Sequence, residues 1–330
     1  MISGGFFRNP RERLGFLNPG LSGLCKGGIL WGLLAVLAFS LTVPLTRIAA
    51  PIFGGVVAGL GRAALAAMLA GAFLVATSQP RPALRDLPVL MAVGLGLFVG
   101  YPLFLSLGLE TVPSIHGAVT SGLLPLATAV AATGLAGERP PLMFWIGTLS
   151  GVLAVITFAI TQGGGTIVPG DAWLLCAVGS AGVGNSSGGL IARKIGGWQT
   201  ICWALLVVSP ITFGAVLQDS ARLTLHAPFA AWMSLLYLGT VSSLLAFFAW
   251  VKGLSIGGIA RIGQLQLIQT FTILPFSAML LGEPITYASL IASLAVLFCA
   301  ILCLRTRRAT SPVSPGFGDS PHQSTQRPPQ

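Results

Sequence analysis

The sequence predicts an all-α integral membrane protein of ten transmembrane helices, arranged as two inverted five-helix repeats. Three observations predict it. Residues are 54% hydrophobic and only 8% charged, whereas about a quarter of an average soluble domain is charged, so a water-facing surface cannot be built from this supply. The apolar runs reach the roughly 20 residues that a helix needs to cross a hydrocarbon core of about 30 Å. A Gly-Glu pair, Gly137-Glu138 and Gly282-Glu283, ends two of these runs at a spacing of 145 residues. The runs are continuously apolar instead of alternating at period two, which argues against a β-barrel.

Glycine, proline and charge clusters punctuate the runs and place the elements in order. The first half holds spans at 29–48, 54–77, 87–109, 114–136 and 142–161. The second holds spans at 172–192, 199–217, 229–251, 259–281 and 286–304, with the third and eighth richest in interrupting glycine. Residues 1–26 lack an apolar stretch of their own and read as a cytoplasmic segment, so the first span acts as the signal anchor. Residues 27–165 and 166–305 form the two repeats, and 306–330, rich in Ser and Pro, read as a disordered cytoplasmic tail.

Orientation follows from the basic residues. With the N-terminus in the cytoplasm, 15 of the 18 Lys and Arg fall on the inside; Arg47 and Arg222 fall outside and Arg62 within the membrane. That is the positive-inside bias of a cytoplasmic-membrane protein with both termini in the cytoplasm. The net charge of +10 therefore belongs to lipid orientation and not to nucleic-acid binding.

Carrying the 145-residue offset back from Glu283 to Glu138 also puts Gly253-Leu254 on Gly108-Leu109 and Leu280 on Leu135. An odd number of spans per half turns the second half over in the membrane. Such inverted repeats place a substrate site between the halves near the midplane and support alternating access. Pairs of glycines four apart, among them Gly55/Gly59, Gly96/Gly100 and Gly184/Gly188, place small residues on one helix face for close packing in lipid.

Trp31-Gly32, Arg62, Pro125, Ala192-Arg193-Lys194 and the two Gly-Glu pairs, in this order and spacing, resemble the ten-helix branch of the drug/metabolite transporter superfamily, whose members carry two EamA domains. The resemblance covers residues 27–305. It implies a carrier of the cell inner membrane, often an exporter of amino acids or related metabolites. In the second repeat Thr270 stands where Pro125 would be matched, and a proline follows at Pro275.

Arg62 is the sharpest candidate for substrate binding. It lies eight residues into its span, about 12 Å at about 1.5 Å per residue. A guanidinium at that depth costs about 2.5–3.5 kcal/mol on insertion scales, so a functional role is the default reading, with an arginine bonded to helix-end carbonyls or snorkelling outward as the equal alternative. It can hold a carboxylate or phosphate through two parallel hydrogen bonds. Asn185 in the sixth span, and Gln266, Gln269 and Thr270 on one face of the ninth, supply further polar groups, with Trp31, Tyr101 and Trp250 as candidate cavity aromatics. These polar groups equally suit bonds between helices.

His116, near the outer end of the fourth span, is a candidate for gating or coupling because histidine changes charge near neutral pH. Glu138 and Glu283 are gating or coupling candidates too. Each follows a glycine that can end a helix and precedes a proline that can start the next, whose positive end a carboxylate complements. No P-loop pattern is present. Gly20-Leu21-Ser22-Gly23 resembles an intramembrane-protease motif, but Ser22 and the histidines fall on opposite faces, so the chain is not expected to be an enzyme. The expected partners are a small-molecule substrate and the lipid bilayer, with no cofactor, metal or nucleic acid. A homodimer, a channel and a non-transporting receptor or scaffold stay open.

Overall fold

The computed structural model describes residues 19–136, 141–162, 168–223, 226–257 and 265–310, and these contain helices and turns but no strand. Glu138 lies outside the described residues.

The first helices are α1 (Pro19–Ser40) and α2 (Thr42–Ala76). The apolar stretch from Gly27 to Ala76 has 50 residues, about 75 Å of helix, more than twice a hydrocarbon core. It breaks at Gly54, whose φ of 77° and ψ of 153° suit a residue without Cβ. Pro51 three residues earlier removes a backbone donor from the same turn. The break falls where the first and second spans were expected to meet, whereas the helix begins ten residues before the expected start at 29.

Numbered as the sequence reading expects them, the third span is α3 (Leu87–Gly94), a π-helical segment Leu95–Gly100, and α4 (Tyr101–Thr111). The fourth is bent by 47° between α5 (Ser114–Ser121) and α6 (Leu124–Ala136). Pro125 explains the bend, since its ring opposes the carbonyl one turn earlier and supplies no amide. The fifth to seventh spans are α7 (Leu142–Gln162), α8 (Pro169–Ile195) and α9 (Gly197–Gln218). The eighth repeats the pattern of the third, with α10 (Phe229–Tyr237), a π-helical segment Leu238–Leu245 and α11 (Ala246–Gly257). Last come α12 (Gln266–Leu281) and α13 (Tyr287–Thr310).

Six of these helical stretches are long and apolar enough to cross a membrane, seven if the bent pair counts as one span, and Gln266–Leu281 and Tyr287–Leu302 are shorter apolar helices. Their outward faces fit lipid. On α7 the buried residues Phe144, Gly147, Gly151, Val155 and Phe158 recur every three or four positions. Leu142, Trp145, Ile146, Leu149 and Leu153 point the other way and are exposed. A hydrocarbon surround makes such a surface favourable.

The interior is held by close helix contacts. α2 packs on α4 and α9, α4 and α6 pack on α8, and α1 packs on α11. Gly96 meets Gly184 so closely that a Cβ on Gly96 would sit 2.6 Å from the Gly184 backbone. The expected small-residue packing is thus realised across a contact between the third and sixth spans.

Candidate functional site

A cavity of about 60 Å³ lies between the two halves of the chain, room for a few water molecules in this state. Arg62, Tyr101, Asn185, Trp250, Gln266 and Gln269 all line it. Thr270, also expected there, is buried beside Gly122 and does not line it, and Trp31 is 42% exposed on the outside of the bundle.

α2 carries Arg62 inward on its buried face, with only 3% of the residue exposed. Its Nη1 is 3.4 Å from Thr46 Oγ1, and its guanidinium stands 5.9 Å from the centre of the Tyr101 ring. Its Nε is buried without a hydrogen-bond partner. Among the described residues no Asp or Glu lines the cavity. A buried cation with an unused donor and no acid beside it suits a carboxylate or another small oxyanion.

The other walls were less visible in the sequence. Phe39 and Phe98 each meet Phe247 edge-on at ring distances of 5.0 and 5.4 Å, forming an aromatic side to the cavity. Thr42 Oγ1 lies 2.7 Å from Ser242 Oγ and links the first and eighth spans. Ser242 and Ser243 reach the cavity from the second π-helical segment, and Leu97 and Phe98 reach it from the first. An inserted π turn rotates the residues that follow it, and such turns recur at functional sites. Their only trace in the sequence was the glycine content of the third and eighth spans.

A second group of polar contacts sits at one end of the bundle. Glu283 accepts hydrogen bonds from the Ser114 amide at 2.9 Å, the Ser114 hydroxyl at 2.8 Å and the Ile115 amide at 3.1 Å. The expected interaction was with the start of the following helix. Instead the carboxylate caps α5, 169 residues earlier in the chain, because the end of α12 packs beside it. His116, on the next residue of α5, pairs through Nδ1 with Asp171 Oδ1 on α8 at 2.7 Å, and both residues are buried. At the same end Arg47 donates to the Leu109 and Glu110 carbonyls, and the Gly55 amide donates to the Glu110 carboxylate.

The EamA-like transporter family model matches residues 26–160 and again 168–305. The chain belongs to the EamA-like transporter family. Over 274 residues it is 39% identical to the "Uncharacterized transporter YdeK" of Bacillus subtilis (strain 168), a match spanning 83% of this chain and 96% of that protein. A solved crystal structure that is 20% identical shares the fold with a TM-score of 0.54, over 87% of this chain and 99% of its own. The chain is therefore a multi-pass membrane transporter homologue built from two EamA repeats.

The two EamA repeats meet at the cavity. Val36 and Ala181, Leu97 and Ser242, Phe98 and Ser243, and Leu124 and Gln269 each stand 145 residues apart, and all eight line it. Equivalent positions of the two repeats thus face the same space. At three of the four pairs the first repeat supplies a large apolar side chain and the second a hydroxyl or amide. At these positions the walls are related by the repeat but differ in chemistry, while Arg62 and Tyr101 come from the first repeat alone and Phe247 and Trp250 from the second.

Proposed function

We propose that this protein is a secondary transporter that moves a small organic anion or zwitterion, with export as the favoured direction, across the cytoplasmic membrane by alternating access. In this reading the chain crosses the membrane ten times, the two EamA repeats are inverted, and both termini are cytoplasmic. One observation carries it. Arg62 and a set of uncharged polar and aromatic side chains from both repeats converge on one cavity, with no acidic group among the described residues that line it.

The Arg62 guanidinium would hold the anionic group of the substrate. Asn185, Gln269, Ser242 and Ser243 would take hydroxyls, amides or an ammonium, while Phe39, Phe98 and Phe247 would cover an apolar part. An amino acid or related metabolite has these features. The end bearing Glu283 and the His116–Asp171 pair is the outer end in this topology, so the described arrangement matches a state closed to the outside.

Comparing the metabolites retained and released by cells with and without the protein selects a compound for direct flux in vesicles containing purified protein. The expected result is saturable flux that Arg62→Ala removes while membrane insertion is retained. Unchanged flux in a well-inserted Arg62→Ala protein would take Arg62 out of the site.

A further inference from the structure

Outside the cavity, one buried ionisable pair has no role in substrate binding. His116 and Asp171 are each about 6% exposed and lie 2.7 Å apart, the histidine on the fourth span and the aspartate on the sixth, so the pair ties one repeat to the other. Phe158 packs on the imidazole at a ring distance of 5.2 Å. The second carboxylate oxygen of Asp171, Oδ2, is buried with no hydrogen-bond partner. A buried carboxylate oxygen left without a partner beside an imidazole calls for a role beyond holding two helices together.

We propose that His116 and Asp171 form a proton-binding site and that its occupancy sets how readily the outer end of the transporter opens. With a neutral imidazole donating from Nδ1, the ionised carboxylate leaves the pair with a net charge of −1 in an apolar setting. One proton taken from the outer solution onto Nε2 makes it an imidazolium–carboxylate pair of zero net charge. Burial opposes the charged state and hydration relieves it. Proton binding therefore favours the closed outer end, and proton loss favours separation of α5 from α8 and admission of water. Ser114 and Ile115, which directly precede His116, are held by Glu283. The pair is thus linked to the outer contact.

Few other ionisable groups face it. α5 packs against α2, α4, α7, α8, α12 and α13. From α2, Arg47 is engaged with backbone carbonyls and Arg62 stands in the cavity. α4 brings Tyr101 and Glu110, the latter engaged with the Gly55 amide. Glu283 follows the end of α12, α7 carries no ionisable side chain, and α13 brings the exposed Tyr287 and the buried Cys299 among its described side chains. Asp171 is the acid in direct contact.

The proposal rests on the outer placement of this end but not on the identity of the substrate, so it is tested without one. Nitroxide labels at Thr111→Cys and Tyr287→Cys, in a full-length chain whose own cysteines are replaced, report the separation at the outer end in lipid nanodiscs. Raising the pH from 5 to 9 is expected to shift the distance distribution toward longer separations, and His116→Gln and Asp171→Asn are each expected to abolish the shift. In parallel, ¹⁵N-histidine spectra of the wild-type chain, with the His116 resonance assigned by its loss in His116→Gln, are expected to show His116 changing protonation over the same pH interval. A shift of wild-type size in His116→Gln, the absence of any shift in the wild type, or a His116 resonance with one protonation state throughout would each overturn the proposal. The wild-type distances remain a test even if the variants fail to fold.

Discussion

Arg62 was legible in the sequence because charge at membrane depth is rare enough to need a reason. Asn185, Gln266 and Gln269 were legible as polar groups in apolar helices, and all three reach the cavity. Asp171 as the partner of His116 was not legible: the two are 55 residues apart, and an acid at a helix start reads as a dipole partner until tertiary packing buries it. Ser242 and Ser243 were overlooked for a related reason, since serine in an apolar helix can satisfy itself on its own backbone, as Ser243 does at 2.8 Å. At this scale Arg62→Lys is expected to restore only part of the flux lost in Arg62→Ala, because an ammonium lacks the planar fork. Initial rates in vesicles measure this, and full rescue by lysine would show that only the charge matters. Glu283→Gln keeps an acceptor but removes the charge, and is expected to lower stability by about 1 kcal/mol, within the usual range for a helix cap. A denaturation midpoint in mild detergent measures it, and no change would mean that the cap is redundant.

At the scale of elements, the ends of the helices were read more reliably than their interiors. Glycine and proline mark ends by local chemistry, so the break at Gly54 and the bend before Pro125 fall where the residues put them. The π-helical segments depend on how a whole span packs, which no local signal encodes. The contact between Gly96 and Gly184 gives a prediction with an internal control. Gly96→Ala is expected to destabilise the chain by about 1–3 kcal/mol, the usual penalty for overpacking. A Cβ at Gly179, on the same helix as Gly184, meets nothing within 4 Å, so Gly179→Ala should be neutral or slightly stabilising. Thermal midpoints of the purified variants compare them, and equal losses at both positions would show that helix propensity rather than the contact decides the outcome.

For the whole molecule, the sequence held more of the architecture than of the site. The duplication was visible from one Gly-Glu pair, and it is the relation that sets four pairs of equivalent residues around the cavity. The unequal chemistry of those pairs was not visible, because which face of each span points inward depends on the crossing of helices. Reporter fusions test the proposed orientation: the segment near Arg222 is expected on the side opposite to both termini, and finding it on the same side would overturn the odd-span repeat. The account as a whole is that the cavity around Arg62 is a carrier's site, open to one side at a time. Counterflow tests this most directly, using vesicles that contain the purified protein and are preloaded with the compound selected by metabolite comparison. The account predicts that unlabelled compound inside drives transient, saturable accumulation of externally added labelled compound within the vesicles to above its equilibrium level, and that Arg62→Ala abolishes it. Labelled compound that only equilibrates, at a rate proportional to its concentration and indifferent to what is inside, would contradict the carrier and identify a pore.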